Sequence, residues 1–444
     1  MPATNRDRAV VLGGSIAGLI TARVLADAYA SVTIVERDQL PTGHAHRRGV
    51  PHGRHVHGLI PRGRTVLDEL MPGLSDELVA AGALSGDFGG NVRWYLNGRQ
   101  LSRVDIGLPV LSASRPLIEG TIRDRVRALP NVSILDGHDI VGLRPSIDLS
   151  RVTGARVTGL HGQGSRILPA DLVVDATGRG SRTPLWLSEL GYVEPPTDRV
   201  NIDLSYASRM FTTPPDLFGD DVVITTARYP GQPHGSVMQR LEGGQVLVTL
   251  IGILGERPPA DIDAFVDYAQ TLAVRDTYDV IRRSRPLDDG VQFRFPTYVR
   301  HRYERLTAFP AGLLVTGDAL CNFNPVYAQG MSVAALDAAA LRDELRRSDE
   351  VDAERFFSAA ARHLDAPWGI AVGADMATPG VVGTPLPPSP LTADYVARLQ
   401  RGAVHDPNLV QAFLRVNALV DPPTALLRPE VVARVEAALS VPVG

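Results

Sequence analysis

Four residues near the start of the chain have the types and spacing of a dinucleotide-binding turn. In "VVLGGSIAGL", Gly13, Ser15 and Gly18 hold the three positions of a GxGxxG fingerprint, and Glu36 follows 23 residues after Gly13. Gly13 permits the tight turn out of a strand. The middle position must be small because the backbone approaches a pyrophosphate, and Gly18 lets helix and strand pack closely. The helix N-terminus itself favours an anion. Ser15 departs from the strict pattern by a hydroxyl, itself able to bond a phosphate oxygen. An acid at Glu36, ending the second strand, accepts hydrogen bonds from an adenosine ribose. The fingerprint alone does not choose between NAD and FAD. No second fingerprint stands between a strand and a helix, since "GDFGG" at 86–90 lies in a loop-like context. One dinucleotide is therefore expected, and no dedicated nicotinamide domain.

Two later stretches also run from a buried strand into a turn of small residues. The first is "DLVVDATGRGSR" (171–182). The second is "GDALCNFNPVYAQGMS" (317–332), which follows the apolar "GLLVT" and leads into the Ala/Leu-rich "VAALDAAALRDEL". It sets a carboxylate, Asp318, at a strand end and a bare helix N-terminus at Gly330-Met331-Ser332, where an anion is stabilised.

The elements that must position these turns follow from periodicity. "AVVLGG", "IAGLITARVLADAY" and "SVTIVERD" read as strand, helix and strand. A Gly/His/Arg-rich loop (41–58) precedes a helix around 60–70. "GGNVRWYLNGRQLSRV" alternates and turns at Asn97-Gly98, a hairpin signal. "SRPLIEGTIRDRVRAL" is an amphipathic helix, and strands recur in "NVSILDG", "RVTGARVTG" and "ADLVVDATG". From about 200 to 300 strands succeed one another, with a turn at Gly243-Gly244 and one helix near 262–282. That pattern predicts an antiparallel sheet inserted into the α/β domain. Beyond 332 the chain reads as mainly helical, with a Pro/Gly-rich connector at 378–391.

The whole chain sets bounds. Its 444 residues suffice for a large core in two or three units. A formal charge of −4 gives no reason to expect nucleic acid. The single cysteine, Cys321, excludes an internal disulfide framework and fits a reducing cytoplasm. "MPATNRDR" leads straight into a strand, so no secretion signal is expected, and no apolar run is long enough for a membrane span. All 45 basic residues are arginine; the chain has no lysine.

Together the three turns resemble the class A flavoprotein monooxygenases, whose FAD is held by such segments. The resemblance implies an α/β fold with a Rossmann-like FAD-binding domain of the p-hydroxybenzoate hydroxylase/glutathione-reductase type. It implies a discontinuous FAD domain (1–80, 110–195, 296–345), an inserted substrate-binding β-sheet domain (81–109, 196–295) and a helical C-terminal region (346–444). It puts Asp318 on a ribityl hydroxyl, Asn324, Pro325 and Tyr327 beside the isoalloxazine, and the Gly330 and Met331 amides at its pyrimidine edge. Gly13, Gly14, Ser15, Ala17, Gly18, Glu36, Arg37, Asp175 and Gly178 complete the expected cofactor contacts, with Arg47 and Arg115 near the flavin or its ribityl chain. "RRGVPHGRHVHGL" (47–59) and "FNPVYAQGMS" are similar to a branch containing actinobacterial polyether epoxidases, which act on alkenes of polyketide intermediates. His52 stands where that pattern has glutamine, and the parts played by His52, His55 and His57 stay open.

The resemblance implies insertion of one oxygen atom from O2, by epoxidation or hydroxylation through a flavin C4a-hydroperoxide, into an apolar polyketide or isoprenoid alkene. No catalytic side chain is assigned, because the cofactor carries the chemistry. Electrons come from NAD(P)H or from a separate flavin reductase. Phenol hydroxylation would call for a buried acid/base pair over the flavin, which the sequence does not place. A geranylgeranyl-reductase-like enzyme and a flavoprotein cyclase using FAD structurally are the alternatives. Tryptophan-type halogenation is disfavoured, because its relaying lysine is missing. The cluster His44, His46, His52, His55 and His57 has no nearby cysteines or convergent carboxylates, so no metal is expected. Cys321 reads as a small buried hydrophobe.

Overall fold

The computed structural model describes residues 6–439 except 161–163, 215 and 228–232. The first five residues, part of the segment used to argue against a secretion signal, lie outside that range. The core of the chain is a five-stranded parallel sheet in which Leu313–Val315, Leu172–Asp175, Arg8–Leu12, Ser31–Val35 and Val132–Leu135 lie side by side. These strands read as near-continuous apolar runs because helices cover the sheet. Ile16–Ala26, Arg115–Arg127 and Gly330–Arg347 pack against it, and "AVVL" and "LVV" are buried throughout. The helix Arg115–Arg127 starts where it does because Ser114 caps it, its hydroxyl accepting from the Leu117 N–H at 3.2 Å, with Pro116 in the first turn.

The second large element is a nine-stranded, mostly antiparallel sheet. Its members include Val92–Leu96, the long strand Thr197–Thr212, Val222–Thr225, His234–Arg240, Val246–Gly252 and Val291–His301. Asn97 (φ 54°) and Gly98 (φ 75°) make the tight turn that joins Val92–Leu96 to Arg99–Gln100. Strand alternation decides what each face does. Ala207, Phe211, Val223, Met238, Val248 and Leu250 point to one side, where they bury Phe265 and Val280 of two short helices. Their neighbours Tyr206, Ile224, Val237, Thr249 and Ile251 point to the other and line a cavity of about 1650 Å3.

The single helix expected near 262–282 is two, Ile262–Gln270 and Asp276–Ile281. A further helix, Leu74–Ala80, follows the helix Pro61–Leu70. His138–Pro145, Val152–Gly159 and Ser165–Pro169 form a small antiparallel sheet of their own. Within the Pro/Gly-rich connector, Val382–Gly383 pairs with the long strand at Val200-Asn201. The helices Ala353–Met376, Ala393–Gly402 and Pro407–Asn417 close the far side of the cavity through Trp368, Val396 and Phe413. Among the described residues, no helix is long and apolar enough to cross a membrane.

Candidate functional site

Leu12 pairs with Asp175 and Asp175 with Val315, so the three adjacent parallel strands end level with one another. The chain leaves the sheet at this carboxyl edge three times, and open α/β sheets bind ligands there. The turns touch. A Cβ built on Gly13 (φ 104°) would overlap the Ala176 carbonyl, and one on Gly18 would overlap the Gly13 carbonyl. One on Gly317 would stand 2.7 Å from the Ala17 Cβ, one on Gly178 3.9 Å from the Asp318 Cβ, and one on Gly330 3.7 Å from Asp318 Oδ1. Gly13, Ala17, Gly18, Gly178, Asp318 and Gly330 are therefore one locus. Met331 is buried beside it.

Ser15 begins the first helix without a side-chain cap, leaving its N-terminal N–H groups open to an anion. The Ser15 hydroxyl is already engaged: it donates to Glu119 Oε2 at 3.0 Å and accepts from Arg115 Nη2 at 3.0 Å. Arg47 Nε donates to Glu119 Oε1 at 2.7 Å, and its Nη1 lies 3.2 Å from both Glu36 Oε2 and Asp38 Oδ2. Burial acts to raise the Glu119 carboxyl, but the guanidinium groups of Arg115 and Arg47 overrule it and hold it below the ordinary glutamate value. The charges of Arg47 and Arg115 are thus balanced by protein acids. Glu36 accepts from the Gly14 N–H at 2.8 Å and the Asp38 N–H at 2.9 Å, which locks the turn to the second strand. Arg37 is exposed and makes no hydrogen bond among the described residues.

The two aspartates of the later turns differ sharply. The Asp175 carboxylate is buried and accepts from the Thr177 N–H at 2.8 Å and from the hydroxyls of Thr177, Ser181 and Thr183, each at 2.6 Å. Its capacity is spent on shaping its own turn, so any part it plays at a cofactor passes through that turn. The Asp318 carboxylate accepts nothing from the protein among the described residues. Burial pushes it above the ordinary aspartate value, against the charges of Arg179 and Arg115. A carboxylate left open beside two glycines and a bare helix start fits a hydroxyl-bearing dinucleotide. Behind it, Asp337 accepts from the Gly317 N–H at 2.9 Å, Thr316 Oγ1 at 3.1 Å and His363 Nε2 at 2.6 Å. Neither Asp337 nor Glu119 was legible as a site residue. Glu119's one signal is its place four residues after Arg115 on a buried helix face.

Asn324, Pro325 and Tyr327 continue the third turn into the cavity wall. Asn324 Nδ2 donates to Asp375 Oδ2 at 3.0 Å, Tyr327 Oη to Asp375 Oδ1 at 2.7 Å and Tyr298 Oη to Asp375 Oδ2 at 2.8 Å. Burial raises the Asp375 carboxyl, and these three donors partly offset it. Sequence reasoning did not find this carboxylate, which lies 51 residues beyond Asn324 on another helix.

The histidine loop lies between the two halves of the site. His55 Nδ1 is 2.7 Å from Ser208 Oγ, which is 2.6 Å from Thr249 Oγ1. The His52 ring is 5.7 Å from that of His57 and 6.0 Å from Phe293. Among the described residues no group of His, Cys, Asp or Glu is placed to hold a metal ion. Burial first of all holds the three imidazoles neutral, pushing His55 down to about 4 and His57 down to about 3, with His52 also well below its ordinary value. In an unfolded chain these groups titrate near ~6.5, so below that pH the unfolded state binds protons that the folded state refuses. Their stabilisation is complete above that value and is lost as pH falls toward the folded values. His55 alone contributes a slope of about 1.4 kcal/mol per pH unit across that window. Urea unfolding should therefore show a lower midpoint at pH 5 than at pH 7.5, with a shallower pH dependence in His55→Asn. An unchanged pH dependence in that variant contradicts a buried neutral His55.

No protein-family model matches the chain. Protein Rv3254 of Mycobacterium tuberculosis (strain ATCC 25618 / H37Rv) is 34% identical over 433 residues, covering 94% of this chain and 90% of the relative. Among solved structures, the flavin-dependent brominase Bmp2 aligns with a TM-score of 0.64 at 15% identity, covering 97% of each chain. p-Nitrophenol 4-monooxygenase PnpA from Pseudomonas putida DLL-E4 aligns with a TM-score of 0.65 at 17% identity, covering 94% of this chain and 100% of its own. At these identities the likeness establishes the fold: a Rossmann-like α/β FAD-binding fold with additional domains.

Proposed function

We propose that this chain, which belongs to the family of protein Rv3254 of Mycobacterium tuberculosis, is an FAD-dependent monooxygenase acting on a large, mostly apolar substrate. One observation carries this reading. The third nucleotide turn runs directly, through Asn324–Tyr327, into the wall of a mostly apolar cavity of about 1650 Å3. A bound flavin and a bound substrate would meet at that segment. Small-molecule sites commonly measure about 300–1,000 Å3, so this one has room for a polyketide- or isoprenoid-sized molecule.

The residues divide the work. The Gly13–Gly18 turn and the first helix N-terminus would hold the pyrophosphate, Glu36 the adenosine ribose and Asp318 a ribityl hydroxyl. The Gly330 and Met331 amides would hold the pyrimidine edge, since a helix start favours negative charge. Reduced FAD supplies the electrons that activate O2. Val92, Trp94, Ile224 and Phe413 hold the substrate and keep water from the reacting centre. For an alkene the balance is substrate, O2, two electrons and two protons to epoxide and water. NAD(P)H or a separate reductase provides the electrons, and a cytoplasmic location would supply either.

The purified or reconstituted protein should be yellow and should release FAD, not FMN, on heating. With chemically reduced FAD, 18O2 and a panel of polyene and isoprenoid alkenes, the products should gain one labelled oxygen. Turnover without label would favour a reductase or cyclase. Brominated product in the presence of bromide would align the chain with the activity of Bmp2 instead.

A further inference from the structure

Three phenols stand around the Asp375 carboxylate, and they are not equivalent. Tyr298 and Tyr327 donate to it at 2.8 and 2.7 Å, so their protons are committed. Tyr206 feels the same charge but makes no hydrogen bond to it. Only 6% of its surface is exposed, it lines the cavity, and its hydroxyl has no hydrogen-bond partner among the described residues. The hydroxyl opens into the cavity, unlike the indole N–H of Trp94 and the Thr225 hydroxyl in the same wall, which are closed off and have no partner among the described residues.

The neighbours on the same face show the contrast. Tyr206 lies opposite Ile251, and Ser208 opposite Thr249, one pair further along. Thr249 accepts from the Val56 N–H at 3.0 Å and pairs with Ser208, which pairs with His55. Gln239, also in the cavity wall, donates to the His57 carbonyl at 3.5 Å. Those polar groups already have protein partners. Tyr206 packs against His55, ring centroids 5.6 Å apart, and burial together with the Asp375 charge keeps it a protonated phenol. It is a donor without a protein partner in the wall of a mostly apolar cavity.

We propose that Tyr206 is a specificity-determining residue of this cavity, its hydroxyl donating to an acceptor oxygen, a carbonyl or hydroxyl, on an otherwise apolar substrate. The inference rests on the reading of the cavity as the substrate site. It narrows the substrate class from hydrocarbons at large to molecules that already carry an oxygen function close to the carbon being oxidised. Tyr206 lies near Tyr327, which hydrogen-bonds to the same Asp375 as Asn324, whereas Val92, Ile224 and Phe413 would take the apolar remainder.

The test compares two probes of similar size, nonan-2-one and non-1-ene, titrated into the flavin-loaded protein and followed by calorimetry and the flavin absorbance difference. The ketone should bind about ten-fold more tightly than the alkene, the effect of one hydrogen bond to a neutral acceptor. In Tyr206→Phe that preference should disappear through weaker ketone binding, with the alkene affinity unchanged. Equal binding of the two probes by the unaltered protein, a preference retained in Tyr206→Phe, or no binding of either probe overturns the proposal. The wild-type comparison decides the matter even if the variant does not fold. Failure of the monooxygenase reading would show separately, as absence of bound FAD or of 18O in product.

Discussion

Asp318→Ala should weaken FAD binding by about ten- to a hundred-fold while leaving the melting temperature of the flavin-free protein nearly unchanged. The first half follows from losing a hydrogen bond to a charged group, worth about 1.5–3 kcal/mol. The second half follows from the contacts of the carboxylate. Asp318 accepts no hydrogen bond from the protein among the described residues, so its removal leaves no donor inside the fold without a partner. Burial also raises its carboxyl, with Arg179 and Arg115 opposing, so its ionisation adds nothing to the stability of the apoprotein. Titration of stripped protein with FAD, followed by quenching of flavin fluorescence, measures the affinity; thermal unfolding of the same sample measures the fold. Full flavin occupancy of the variant at low micromolar FAD would remove Asp318 from the cofactor site. A large drop in apoprotein melting temperature would mean that the carboxylate serves the fold instead.

The three turns were legible in the sequence because their constraints are local. Gly13 is needed where φ is positive, Gly18 where helix meets turn, and an aspartate follows each of two short apolar strands. The alternation that marks the strand at 92–96 and the apolar run that marks the strand at 246–252 were equally legible, since neither needs knowledge of distant residues. Which of the two faces meets the cavity was not. Both are apolar, and only packing of Phe265 and Val280 on one side leaves the other to the cavity. Long-range partners were invisible for the same reason. Glu119 gathers Ser15, Arg47 and Arg115 from three elements, and Asp375 gathers Tyr298, Asn324 and Tyr327. In sequence each is one acid on an amphipathic helix. The buried acid that phenol hydroxylation would call for, which the sequence could not place, has a candidate in Asp375, although its acceptor capacity is already committed to three protein donors.

Asp337→Ala should do the converse of Asp318→Ala, damaging the fold and the flavin site together. Asp337 is buried in the helix Gly330–Arg347, and its carboxylate joins three elements: the Gly317 N–H and Thr316 hydroxyl of the third turn, and His363 Nε2 of the helix Ala353–Met376. Alanine removes all three acceptor contacts. The Gly317 N–H and Thr316 hydroxyl are then left in a buried place without a partner, each costing about 1–3 kcal/mol. A loss of roughly 3–5 kcal/mol is the expected total, as for breaking a buried charged network. The Gly317-Asp318 turn, no longer tied to the helix behind it, would also lose its fixed aim at the cofactor, so FAD affinity falls as well. Asp337→Asn keeps part of the connectivity: its amide oxygen still accepts from Gly317 and Thr316, but its NH2 cannot accept from His363 Nε2. Urea unfolding should therefore place Asn between Ala and the parent chain, with flavin affinity following the same order. If Asp337→Ala unfolds like the parent and binds FAD as tightly, this carboxylate does not position the third turn.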